Sequence, residues 1–248
     1  MNLICEESIK EAKPLPDFNG SDELLSTISS PTQNLTFKQL ELYYKWRSKS
    51  LGSELLASLD LLCPNGQINY AGYLLADEND VSIKVVKYLG EDKADLVEVQ
   101  ELGHTCLVTA ADRVKEKLLV ENRTFSKITY LKRLERQMID KLALREAVIN
   151  AIVHTDYSFE VSPVVELFSD RITITSYGGL PKGLRFEDFI RNCSMPRNRV
   201  LMRVFKDLEL VEEQGSGVSK ILQAYDKSVF TIEDNFFIVS LPYAQRFM

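Results

Sequence analysis

The sequence predicts an α+β chain in two parts, and three observations carry that expectation. Nine of the twelve residues from Leu142 to Val153 are apolar, which reads as a helix buried on most sides. Short alternating runs flank tight turns at 81–89 and 95–102, at 163–168 and 171–176, and at 230–232 and 236–241. Glycine pairs close one of those strands and open a helix, at Gly178-Gly179 and at Gly215-Ser216-Gly217. Residues 1–135 are expected to form a mixed module of helices and a small sheet. Residues 136–248 are expected to form helices layered on a mixed sheet.

The 248 residues are 45% hydrophobic and 27% charged, an ordinary soluble composition long enough to bury a core without staples. Cys5, Cys63, Cys106 and Cys193 are scattered, which points to reduced thiols and a cytoplasmic setting. With His104 and His154 the only histidines, a zinc centre is not expected. No apolar run approaches eighteen residues, so no membrane partner is expected. The net charge of −6 argues against a chain that coats nucleic acid with its whole surface. Yet Arg113–Arg145 holds ten Lys/Arg against four Asp/Glu. The commoner explanation is a solvated helix followed by an exposed strand. The alternative is direct nucleic-acid binding through 113–145.

In chain order, residues 1–20 look like a polar tail, and Ser21 begins a short helix through Ile28. Thr36 is placed to cap a helix, FKQLELYYKWR, whose aromatics recur at helical spacing and read as core. Ser53–Leu62 reads as another helix and Pro64-Asn65-Gly66 as a turn. Ile68–Ala76 reads as a strand, followed by an acidic turn, Asp77–Asp80, that lacks the spacing of a Ca²⁺ loop. The order helix–helix–turn–strand over 36–76 suits a winged helix, but no basic recognition helix stands out. Thr105–Asn122 reads as a helix and Ile128–Leu134 as a strand. Beyond the central helix, Phe186–Asn192, Arg199–Leu208 and Val218–Tyr225 read as helices, with the loop SMPRN before the second.

Three polar residues interrupt the central helix in steps of four: Glu146, Asn150 and His154. They form one slightly drifting stripe. A Glu and an Asn lined up on a buried helix suggest a cavity, a metal or a ligand, because an unpaired buried carboxylate is costly. The bland alternative is a partly solvated face with Glu146 paired to a nearby Arg. A Gly-x-Gly before a helix leaves backbone N–H groups facing an anion, with the helix dipole behind them.

E-x-x-x-N on a buried helix, a Gly-Gly turn after a strand, and G-x-G opening a helix occur in an order that resembles the GHKL ATPases. REAVINAIVHTDYS, DRITITSYGGLPKGL, CSMPRN and LVEEQGSGVSKIL resemble, more closely, the divergent GHKL-type C-terminal domain of RecG-related, Schlafen/Alba-like bacterial proteins. Those are usually described as transcriptional regulators or ATP-binding proteins. The resemblance implies a Bergerat-like sandwich over 136–248 and, before it, a connector with the tail of an Alba-like region. It implies ATP and Mg²⁺ as ligands, DNA reached through neighbouring domains, and a homodimer.

Carried over by position, Asn150 would ligate Mg²⁺ and Glu146 would orient or activate water, with any hydrolysis slow. Gly178 and Gly179 would approach the adenine. Gly215, Ser216 and Gly217 would meet phosphate, and Arg197 would reach a phosphate or pair with an acidic neighbour. His154, Asp156 and Tyr157 would brace the turn after the helix. One position departs from the pattern: the Asp that accepts the adenine amino group is replaced by Ser176, whose hydroxyl is shorter and uncharged. Asp170 lies six residues back along a strand, roughly 20 Å away, and cannot substitute. A degenerate module that serves as a dimerisation or docking scaffold is therefore the rival. An active helicase is excluded, because no G-x-x-x-x-G-K-[ST] loop occurs.

Overall fold

The computed structural model describes residues 25–49, 54–159, 161–193, 195–211, 217–233 and 235–245. They form an α+β fold with eight α-helices, a mixed six-stranded sheet and a separate two-stranded hairpin among the described residues. The sheet runs β2-β1-β5-β6-β8-β7. Its strands are β1 (Ser82–Tyr88), β2 (Leu96–Gly103), β5 (Val164–Leu167), β6 (Arg171–Tyr177), β7 (Phe230–Glu233) and β8 (Phe236–Pro242). All pairings are antiparallel except β1 with β5, which joins strands from the two parts of the sequence into one sheet.

Two helices, α4 (Leu107–Glu121) and α5 (Lys141–His154), pack on that sheet and on each other, and α8 (Gly217–Ala224) packs on α5. Helix α5 sits centrally, touching β6, β8, α4 and α8. Its Asp140 side chain caps the first turn by accepting from the Ala143 N–H at 2.8 Å. Val85, Val165, Ile174 and Val239 lie in register on neighbouring strands and are all buried. They form the floor under α5, as period-2 alternation requires.

Before the sheet lie α1 (Lys38–Trp46), α2 (Leu55–Ser58) and α3 (Tyr70–Leu75). Two expectations are corrected here. Ile68–Ala76 was expected as a strand, but it contains α3: Asn69 caps it by accepting from Gly72 N–H, and all six helical residues are buried. A fully apolar run has no periodicity to separate helix from strand. Nor does Thr36 cap α1. That helix begins after Phe37 with no side-chain cap of its own. Asp77, from the acidic turn, accepts the N–H groups of Lys38 and Gln39 at 2.9 and 2.8 Å and the Thr36 hydroxyl at 2.6 Å. A negative charge at a helix N-terminus is favourable, and here it arrives from a distant loop.

A third correction concerns Ile128–Leu134, which is not one strand. Its middle is the turn of a hairpin, β3 (Thr124–Ile128) with β4 (Arg133–Gln137). Thr129 closes the turn: its N–H and hydroxyl both donate to the Lys132 carbonyl, at 2.9 and 2.7 Å. No Gly, Asn or Pro marks the turn in the sequence. Of the helix expected from Ser21 through Ile28, residues 21–24 lie outside the described residues, and residues 25–28 form a turn rather than a helix. The remaining helices are α6 (Phe186–Ile190) and α7 (Arg199–Asp207). Among the described residues no helix is long and apolar enough to cross a membrane.

Candidate nucleotide site

A cleft between α5, the end of β6, the 178–197 segment and the start of α8 contains about 1030 Å³ of space, its mouth included. Of the nine positions singled out from the sequence, seven line it: Glu146, Asn150, Ser176, Gly178, Gly179, Arg197 and Gly217. Gly215 and Ser216 lie outside the described residues. One wall is aromatic, where Phe189 meets Phe230 and Phe237 edge-on at 5.2 and 5.1 Å. An apolar slot beside a few polar groups is the usual make-up of a small-molecule site.

The glycine turn is built for close approach. Gly178 has φ +88°, and an added Cβ would meet the Arg197 guanidinium and the Asp156 Cβ, both at 3.0 Å. Arg197 clamps the turn from outside. It donates to the Gly179 carbonyl at 2.9 Å and pairs with Asp156 at 3.2 Å. Asp156 also accepts from Ser158 N–H, and its own N–H donates to the Tyr177 carbonyl. Tyr157 donates its hydroxyl to the Ile152 carbonyl at 2.9 Å. Asn198 donates to the carbonyls of Val153 and Thr155 and so caps the end of α5. His154 lines the cleft, and burial together with the Arg197 charge pushes its imidazole down to about 4.

The end of the cleft between α5 and the start of α8 is tighter. Glu146 is 2% exposed, and Lys220 of α8 lies 3.2 Å from its Oε1. An added Cβ on Gly217 would lie 2.8 Å from Asn150 Nδ2 and 2.9 Å from Glu146 Oε2. The first turn of α8 therefore rests directly on the polar stripe of α5. Asn192 accepts the Ser219 N–H at 3.1 Å, which occupies one of the free donors of that turn. Ser176 donates its hydroxyl to the Phe237 carbonyl at 3.3 Å. Asn150 stands apart, since its side chain has no hydrogen-bond partner among the described residues.

These observations bear on the implied ligands. The apolar slot, the glycine turn and the unpartnered Asn150 amide fit a nucleotide. For Mg²⁺ the residues supply a single neutral oxygen, on Asn150. No group of three His, Cys, Asp or Glu gathers anywhere among the described residues. An ion here would depend on phosphate oxygens and water for its other ligands.

Three of the residues that shape the site were missed in the sequence. Lys220 is separated from Glu146 by 74 positions. Asn192 and Asn198 sit in a loop whose only signal was the motif SMPRN and its neighbourhood.

Comparison with known proteins agrees with this architecture. The crystal structure of the DIP2311 protein from Corynebacterium diphtheriae is similar, with a TM-score of 0.72 and 22% identity. The match covers 90% of this chain and 48% of that one, so the chain spans about half the length of its structural relative. No curated protein matches the chain. Residues 161–240, which carry the Gly178-Gly179 turn and Gly217 but not the Glu146–Asn150 stripe, match the HATPase_c_4 family model, described as "Putative ATP-dependent DNA helicase recG C-terminal".

Proposed function

We propose that residues 136–248 are a nucleotide-binding regulatory module, with ATP as the ligand. One observation carries this reading: Asn150, the Gly178-Gly179 turn and Gly217, from three separate stretches, line one cleft. The base would lie in the slot walled by Phe189, Phe230 and Phe237, with the glycine turn against its edge. The phosphates would lie toward Asn150 and Gly217, where backbone N–H groups and the α8 dipole favour an anion. Mg²⁺, when bound, would shield phosphate charge and be held by the Asn150 oxygen. Gly215, Ser216 and Arg197 are assigned to the phosphate side.

Turnover is slow or absent on this reading. Among the described residues Glu146 is the one carboxylate that lines the cleft and could orient water, and its pairing with Lys220 diminishes its strength as a base. The module would couple nucleotide occupancy to dimerisation or to DNA binding by neighbouring domains of a transcriptional regulator. Residues 1–135 would serve as its connector.

The scaffold reading is favoured by Ser176, whose hydroxyl is directed to Phe237 rather than to the cleft. Thermal unfolding with and without Mg²⁺–ATP separates the two. Ligand at about a hundred times its dissociation constant adds about 2.7 kcal/mol, on the order of 5–10 °C for a chain of this size. A shift that needs Mg²⁺ and is lost in Asn150→Ala supports the nucleotide site. No shift at millimolar ATP, or an unchanged affinity in Asn150→Ala, overturns it.

A further inference from the structure

Away from the cleft, two surface elements are left with opposite charge and matching apolar groups. The first is the β3–β4 hairpin, whose strands pair only with each other among the described residues. An isolated two-stranded hairpin is marginal in water. This one also presents Ile128, Tyr130 and Leu131 at its tip, 83%, 102% and 87% exposed. Three large apolar groups on one protruding turn form the kind of patch that marks an interaction site. Residues 123–136 carry five Lys/Arg and one Glu, a net +4.

The second element is β2, an edge of the six-stranded sheet whose neighbour among the described residues is β1 alone. At eight residues it is a long edge, and Leu96, Val97 and Val99 are each about half exposed. An edge of this length with apolar side chains is a template for pairing with another chain. Residues 91–101 carry five Asp/Glu and one Lys, a net −4. Lys93 does not offset that charge at the surface, because its ammonium contacts buried Glu166. Glu98 is engaged by Lys117, but Glu91, Asp92 and Asp95 stand exposed with no ion-pair partner among the described residues.

We infer that the hairpin of one copy docks on the β2 edge of a second copy, and reciprocally, to give a closed dimer. Charge selects this arrangement. Two β2 edges facing each other would bring −4 against −4, and two hairpins +4 against +4, whereas hairpin on edge brings opposite signs together. The apolar tip and the apolar edge would leave solvent together. Reciprocal use of the same two patches closes the assembly, where a one-way contact would propagate into a filament. The inference does not depend on the nucleotide site.

The test is sedimentation velocity on the full chain, without nucleotide, over a wide concentration range. The wild type is expected to dimerise. Arg123→Glu/Lys132→Glu/Arg133→Glu makes the hairpin acidic, net −2, and Glu91→Lys/Asp92→Lys/Asp95→Lys makes the edge basic, net +2. Each variant alone is expected to be monomeric, because its hairpin and edge then share one sign. Their equimolar mixture is expected to recover the dimer mass, since every hairpin–edge pair between the two variants is again opposite. Tyr130→Asp/Leu131→Asp should be monomeric and should melt as the wild type does at dilutions where the wild type is itself monomeric, as both side chains lie in solvent within one copy. A wild type that stays monomeric, variants that dimerise alone, or a mixture that does not associate would each overturn the inference. So would duplex DNA binding by a monomeric wild type that is lost in the hairpin variant, which would make the hairpin a nucleic-acid contact.

Discussion

Lys220 Nζ lies 3.2 Å from Glu146 Oε1, and the carboxylate is 2% exposed. This pair ties α8 to α5 across the cleft. Removing one partner of a buried pair strands the other charge in a poorly solvated place, whereas removing both does not. Lys220→Met is expected to lower stability by about 3 kcal/mol, while Glu146→Met/Lys220→Met stays within about 1 kcal/mol of wild type. Urea unfolding measures both. Equal losses in the single and double variants would show that the pairing contributes little.

Gly217 makes the same contact from the backbone side. Replacing a helical glycine by alanine usually adds about 0.5–1 kcal/mol of stability. Here the new methyl would sit 2.8 Å from Asn150 Nδ2 and 2.9 Å from Glu146 Oε2, closer than van der Waals contact allows. Overpacking of this kind costs about 1–3 kcal/mol and should win, because Glu146 is held by Lys220 and cannot swing away. Gly217→Ala is therefore expected to be destabilised in the same urea assay. A stabilised variant would mean that α8 can ride up on α5.

The polar stripe and the glycine turns were legible in the sequence because their spacing encodes a face and a turn. Glu146 and Asn150 four apart had to share a helix face, and Gly178 had to allow an unusual backbone. What was not legible was the partner each group would meet. Glu146 meets the expected Arg, its neighbour Arg145 at 3.9 Å, but its nearer partner at 3.2 Å is Lys220 of another helix; the cap of α1 is Asp77 from a loop 39 residues later; and the acidic neighbour expected for Arg197 is Asp156, 41 positions away. Pairings of this kind are decided by tertiary packing, which no local pattern records. The strand expected at Ile68–Ala76 failed for a related reason, since burial on every side erases the period that distinguishes helix from strand.

Arg197 holds the glycine turn by two bonds, to the Gly179 carbonyl and to Asp156. Arg197→Ala is expected to cost about 1–3 kcal/mol, as the half-buried partners lose a charged donor. Arg197→Lys should recover only part of this, because an ammonium cannot reproduce the planar fork. If Arg197 also meets phosphate, nucleotide affinity should fall in Arg197→Lys by more than stability does. Proportionate losses would confine the residue to bracing the turn.

His154 predicts a pH dependence with a definite sign. Burial and Arg197 depress its folded value to about 4 from an ordinary 6.5. Below 6.5 the unfolded chain binds a proton that the folded chain resists, so stability falls as pH drops from about 6.5 toward 4. The full effect is at most about 3 kcal/mol, since one unit corresponds to 1.36 kcal/mol. Asp77 adds a loss in the same direction but at lower pH. Burial raises its pKa, but the bonds from Thr36, Gln39 and Lys38 outweigh that and hold it below 3.8. Its contribution is present above 3.8 and disappears as pH falls through the folded value. Urea unfolding at stepped pH should therefore show a slope between 6.5 and 4 that His154→Gln removes, leaving the acid loss from Asp77 in place. An unchanged slope in His154→Gln would locate the pH dependence elsewhere.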